Sequence, residues 1–182
     1  MSRRSLLIAA GLVLAGCSSS PPADPAAKRR EIDAKVDSAL ADLRNAPSAR
    51  QLVDRAEGML VIPDVITAGF IAGGSYGQGA LRKKGQADGY YSLSAGSVGL
   101  LAGAQSKTVY LLFMTTEALR KFEQSNGWTV GADASVALAS AGAEGSVDSA
   151  TARSEIIGFV RNVSGFMANL SLEGTKFNRL QI

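Results

Sequence analysis

The chain has 182 residues, 46% hydrophobic, 19% charged and 6% aromatic, which is apolar material for one domain with a sizeable core and too little charge for disorder. It has no histidine and one cysteine, Cys17, which excludes Ser-His-Asp and Cys-His catalysis, zinc sites built from His or Cys, iron–sulfur ligation and disulfides within the chain. Any reaction would fall to carboxylates, lysines, tyrosines and backbone groups. The expectation is a protein that is not an enzyme, with no cofactor and no metal.

Met1-Ser2-Arg3-Arg4 is a short basic start, followed by the apolar run LLIAAGLVLAG over residues 6–16. Eleven residues are too few for a spanning helix, which needs ~20, but suit the apolar region of a signal peptide. The run ends in Leu14-Ala15-Gly16-Cys17, which resembles the lipobox of bacterial lipoproteins. That resemblance implies lipid on Cys17, cleavage before it, and residues 1–16 as signal peptide. Ser18, where an aspartate would mean inner-membrane retention, implies the bacterial outer membrane with the domain facing the periplasm. Loss of Arg3 and Arg4 lowers the net charge from +3 to +1, so no nucleic-acid partner is expected.

Residues 17–25 form the lipidated cysteine and a Ser/Pro tether. The eight residues 18–25 reach at most ~25–29 Å, which keeps the domain close to the membrane. Asp24-Pro25 is a helix start, an N-cap acid before proline. Ile32, Val36, Ala39, Leu40 and Leu43 recur at helical spacing, so residues 26–46 read as an amphipathic helix stopped by Asn45 and Pro47. Its stripe carries no aromatic and its polar face mixes charge signs, which favours packing on the domain over lying on a bilayer. A second helix is expected from Ser48, with Ser48 and Gln51 as a capping box and Gly58 beyond its end.

From Met59 the texture changes to short apolar runs between glycine-rich stretches, which read as strands and hairpins, with turns at Lys84-Gly85 and Asp88-Gly89. A short helix is expected near 116–124, and strand character returns over Trp128–Ser140 and Ile156–Leu172. Glycine inside strands permits bends and close approach. The fold class is therefore α+β: N-terminal helices packed on a strongly curved, barrel-like, mainly antiparallel glycine-rich sheet. A membrane-spanning barrel is disfavoured by the small number of ten-residue strands and by the helices.

The segments Ala56–Pro63, Val65–Phe70, Gly74–Gly79, Gly96–Gly99 with Gly103, Val130–Ala137, and Gly165–Ala168 with Ser171–Gly174 occur in the order and at the spacing of the SYLF domain family, which the chain resembles from about Arg50 to its end, and within it the branch of bacterial outer-membrane lipoproteins. The domain boundary is accordingly set at residues 47–182. The resemblance implies membrane-lipid binding, with actin binding in some members. It departs from the family's pattern at Thr67, where a lysine is common, near Ser75–Tyr76, where an arginine is common, and at Tyr90-Tyr91-Ser92-Leu93, where a Trp-Ser-x-Pro turn is common.

Two cationic clusters are candidate lipid-binding residues. Arg82, Lys83 and Lys84 read as a hairpin tip that would meet lipid phosphate or simply be solvated. Lys28, Arg29 and Arg30 lie near the tether, followed at once by Glu31, Asp33 and Asp37. Gly73–Gly79 lacks the Gly-Lys-Ser/Thr ending of a phosphate loop and reads as curvature. Asp133, Glu144, Asp148 and Glu173 show no spacing that singles out a catalytic pair or cation site. The expected function is a membrane-anchored lipoprotein whose SYLF-like domain binds phospholipid or another anionic envelope amphiphile. The alternative is a scaffolding lipoprotein that binds protein partners in the envelope.

Overall fold

The computed structural model describes residues 24–69, 72–98, 104–139, 147–162, 165–167 and 171–182. Asp24 accepts the Ala26 N–H at 3.0 Å and Pro25 opens the first turn, so helix α1 runs from Pro25 to Asn45. The expected stripe, Ile32, Val36, Ala39, Leu40 and Leu43, is its buried face. Helix α2 (Pro47–Arg55) follows after a single intervening residue, Ala46, which is its N-cap and offers no side-chain cap. The capping box expected at Ser48 does not form: Pro47 already takes the first helical position, and the Ser48 hydroxyl is buried without a hydrogen-bond partner.

Four long strands follow: β1 (Gly58–Gly69), β2 (Ala72–Lys83), β3 (Gln86–Val98) and β4 (Ala104–Phe113). Lys84-Gly85 makes the β2–β3 turn, both residues at positive φ. Asp88-Gly89, expected to turn, lies inside β3 instead. Leu81 pairs with Gly89 and Arg82 with Ala87, which leaves Asp88 as the extra residue of a bulge. Helix α3 (Thr116–Gln124) is capped by the Thr115 hydroxyl, which accepts the Ala118 N–H. After it come β5 (Trp128–Thr129), β6 (Ala137–Leu138), a 3₁₀ turn over Thr151–Arg153, β7 (Ile156–Asn162), β8 (Gly165–Met167) and β9 (Lys176–Arg179). Of the strand character expected over Trp128–Ser140, two short pieces form among the described residues, and Ser140 lies outside them. The sheet order is β5-β9-β3-β2-β1-β4-β7-β6, with β8 on β7, and all pairings are antiparallel except β6 with β7.

The sheet divides two cores. Met59 and Val61 of β1 face α1 and α2, while Leu60 and Ile62 face the opposite core. That second core fills with Leu119 and Phe122 of α3, Phe113, Tyr91, Trp128 and Phe177. Phe122 shows why the sheet is curved. Its ring centroid lies 4.9 Å from Phe113 on β4 and 5.5 Å from Trp128 on β5. Those strands are five neighbours apart, about 24 Å across a flat sheet. Only a sheet curled around Phe122 brings both to one ring, and this is the half-barrel read from the glycine content.

One residue breaks the alternation of β1. Ile62 and Val65 are three apart, yet both belong to the inner core. Pro63 and Asp64 form a bulge there, with Asp64 at φ 52° and the register shifting against both neighbours. Beyond it, Val65 and Thr67 face inward, and Ile66 and Ala68 face out. Among the described residues no helix is long and apolar enough to cross a membrane.

Candidate functional site

The bulge builds a groove between the first half of α1 and the outer half of the β1–β2 hairpin. It has a volume of about 480 Å³ and is lined by Lys28, Ile32 and Lys35 from α1, Pro63, Asp64 and Ile66 from β1, and Tyr76 and Gln78 from β2. Ile66 and Tyr76 are direct cross-strand partners, 47% and 52% exposed, and the two exposed large hydrophobic side chains among the described residues. Paired apolar side chains left in water, when the other large ones among the described residues are buried or partly buried, mark a contact surface. The Tyr76 hydroxyl accepts from Gln78 Nε2 at 2.9 Å, which holds the ring against the strand.

The rim of this groove is charged but balanced. Lys28 pairs with Glu31 at 3.2 Å, and Lys35 lies 3.3 Å from Glu31 and 3.2 Å from Asp64. Hydrogen bonds from Lys28 first, then Lys35, pull the Glu31 carboxyl below its usual range, and Asp64 and Glu31 push Lys35 up. Exposed pairs of this kind add little to stability and stay exchangeable with a ligand's charge.

The sequence-predicted cations do not gather at one point. Lys28, Arg29 and Arg30 diverge around α1: Lys28 to Glu31, Arg29 to the main-chain oxygen of Ile182 at 2.7 Å, Arg30 to Asp24 at 3.8 Å. Arg82 and Lys83 are consecutive in β2 and so face opposite sides of the sheet. Arg82 is buried against α1, bonded to Asp33 at 2.9 Å and Asp37 at 2.7 Å, rather than presented at the hairpin tip. Lys83 binds Glu123 of α3 and lies 3.5 Å from Asp88, and the hydrogen bond it donates to Glu123 raises its pKa. Lys84 alone stands in the turn, where it shares a pocket of about 390 Å³ with Lys83, Gln86, Ala87 and Asp88. Cys17 and Glu144 lie outside the described residues.

Arg82 instead belongs to a clamp that seats α1. The Tyr90 hydroxyl donates to Asp33 at 2.9 Å, and Tyr110 donates to the Ala39 carbonyl at 3.1 Å. Burial pushes Tyr90 up, and it pushes Tyr110 up to about 12, so both stay protonated donors. Arg161 of β7 binds Asp42 on the last half of the same helix. The apolar stripe holds α1 down, at about 1.5–3 kcal/mol for each fully buried Val, Leu or Ile. The clamp fixes where it lies, since a buried guanidinium that loses its carboxylates is costly. Asp33→Ala removes one carboxylate from Arg82 and the acceptor of Tyr90. It is expected to lower stability by ~1–3 kcal/mol, measured as a fall in the urea midpoint with unchanged slope.

The carboxylates of Asp133 and Asp148 serve local backbone. Asp133 accepts the Thr129 N–H at 2.6 Å, and Asp148 accepts from Ala150, Thr151 N–H and the Thr151 hydroxyl. The Glu173 N–H donates to the Ser171 hydroxyl at 3.1 Å. Among the described residues no group of three or more acidic or sulfur ligands could hold a metal. The sequence reading missed Ile66, Tyr76 and the clamp. Ile66 sits where alternation from Met59 would bury it, and only the bulge turns it outward. The Arg82–Asp33 pair spans 49 positions and leaves no local signal.

Residues 94–181, from within β3 through β9, match the family model described as Ysc84: Las17-binding protein actin regulator. No curated protein matches the chain. The matched segment carries the inner core around Phe122 and the strands that close the half-barrel, and the match supports the SYLF domain family that the glycine segments resemble.

Proposed function

We propose that this chain is a bacterial outer-membrane lipoprotein, lipidated at Cys17, whose domain binds phospholipid or another anionic envelope amphiphile without catalysis. The observation that carries the reading is the exposed Ile66–Tyr76 pair in a groove beside the first turns of α1. In this reading the tether enters α1 at that same end, which supports a groove lying close to the anchored leaflet. Apolar side chains there meet acyl chains, and Lys28 and Lys35 trade their carboxylate partners for headgroup phosphate.

The experiment has two arms. Labelled palmitate is expected to enter the protein in cells and not its Cys17→Ser variant; equal labelling of both would sink the anchor. In flotation, the full chain is expected to favour phosphatidylglycerol over phosphatidylcholine vesicles, and Ile66→Ser with Tyr76→Ser to reduce the bound fraction several-fold. No preference in the wild-type chain would remove the lipid reading.

The second reading is a scaffold for protein partners, and the description of the matched family as a Las17-binding actin regulator favours it. One dominant protein adduct on crosslinking in cells, with no lipid co-purifying, would support the scaffold over the lipid binder.

A further inference from the structure

The inner face of the half-barrel holds a cation that neither the groove nor the clamp uses. Lys107 stands on β4 directly across from Val65 on β1. Alternation along β4 puts it on the same side as Val109, Leu111 and Phe113, all of the inner core. It is half-buried, and no carboxylate among the described residues pairs with it. Burial alone pushes its ammonium down from the usual lysine range, with no charged neighbour opposing it. One pleat further along the same face, Thr67 of β1 and Ser75 of β2 are cross-strand partners. Their hydroxyls lie 2.7 Å apart, and both residues are buried.

The chemistry of the three groups is complementary to an anion. Two hydroxyls have two protons between them, and their mutual bond uses one, so one O–H is left to donate outward. The ammonium has three donors and a desolvation cost that a negative charge would relieve. Acceptor-only carboxylates are missing from this part of the described structure, while Val65 and Val109 form an apolar floor beneath it. We propose that Lys107, Thr67 and Ser75 form a phosphate-monoester or phosphodiester site at the inner mouth of the half-barrel. It takes the headgroup of an amphiphile whose tails lie on apolar surface. The tail part rests on the lipid reading above; the phosphate seat does not.

The test uses the full chain and three probes: inorganic phosphate, glycerol 3-phosphate and dihexanoyl phosphatidic acid, followed by calorimetry and by the Lys107 side-chain NMR signals. Wild type is expected to bind all three, the acylated probe most tightly. Lys107→Met is expected to weaken each at least tenfold, Lys107→Arg to retain binding within about threefold, and Thr67→Val with Ser75→Ala to fall between. Lys107→Met is expected to melt no lower than wild type, because it removes a desolvated charge, so loss of binding is separable from loss of fold. The site is overturned if Lys107→Met binds within twofold of wild type, or if no probe binds wild type. Lys107-dependent binding of phosphate and glycerol 3-phosphate, with no gain from acyl chains and no vesicle flotation, would keep the seat and remove the lipid reading. Vesicle flotation indifferent to Lys107, with phosphate binding equally unchanged, would keep the lipid reading and remove the seat.

Discussion

Phe122→Ala is expected to destabilise the domain by about 3–5 kcal/mol, the largest single effect of any side-chain truncation here. The ring touches Phe113, Tyr91 and Trp128 at centroid distances of 4.9–5.5 Å and Phe177 at 6.4 Å. Those partners come from four different strands, so the cavity cannot be filled by one neighbour moving in. Each partner is held by its own ladder, and relaxation would have to uncurl the sheet. The measurement is the urea midpoint at constant slope; a loss below about 1.5 kcal/mol would mean that curvature does not depend on this ring. Phe122→Leu, which keeps most of the apolar volume, is expected to cost roughly half as much.

Gly79→Ala is expected to prevent stable folding, with a cost of ~3 kcal/mol or more. Gly79 of β2 is buried where the main chain of β1 crosses closest. A Cβ there would run into the carbonyl oxygen of Val61, with the Ile62 Cα 2.8 Å away. Both obstacles are backbone, and neither can rotate aside. At Gly74, in the same strand, an added Cβ would meet nothing nearer than the Ala95 carbonyl oxygen at 3.7 Å, which is ordinary contact. Gly74→Ala is therefore expected to change stability by less than about 0.5 kcal/mol. Thermal melts of the two variants side by side separate close approach from glycine content as such. Equal melting temperatures would show that β1 shifts away at little cost.

These two positions mark how far the residues alone carried the reading. Glycine density announced a bent sheet, and the 3.6-residue stripe of α1 announced a helix packed on it; both are local patterns that survive into the fold. Which glycine is indispensable depends on where β1 passes over β2, a property of register that spacing does not encode. The same limit applies to the cations. Arg82, Lys83 and Lys84 are adjacent in sequence, but a strand sends neighbours to opposite faces, and α1 had acids waiting for one of them. The site features that the structure adds, Ile66, Tyr76 and Lys107, are single residues of ordinary type. Ile66 owes its exposure to a change of phase inside β1, while Tyr76 and Lys107 take their meaning from the strands they lie across from. Asp64, the residue that makes that change, looks like a simple polar residue after proline.

The bulge at Pro63-Asp64 has a consequence for how this domain can diversify. Because one supernumerary residue inverts the outer half of β1, the inner half and the outer half answer to separate rules. Substitutions at Ile66 and Ala68 reshape what the molecule shows to its surroundings, while Val65 and Thr67 and the packed portion before Asp64 are untouched. Deleting Asp64 would remove the extra residue and make the ladder continuous: Ile62, Pro63 and Val65 would alternate plainly, Ile66 would stay opposite Tyr76 and Thr67 opposite Ser75, and only the kink beside the groove would go. The bend is thus a matter of chain length, which can come or go without changing which residues meet across the hairpin.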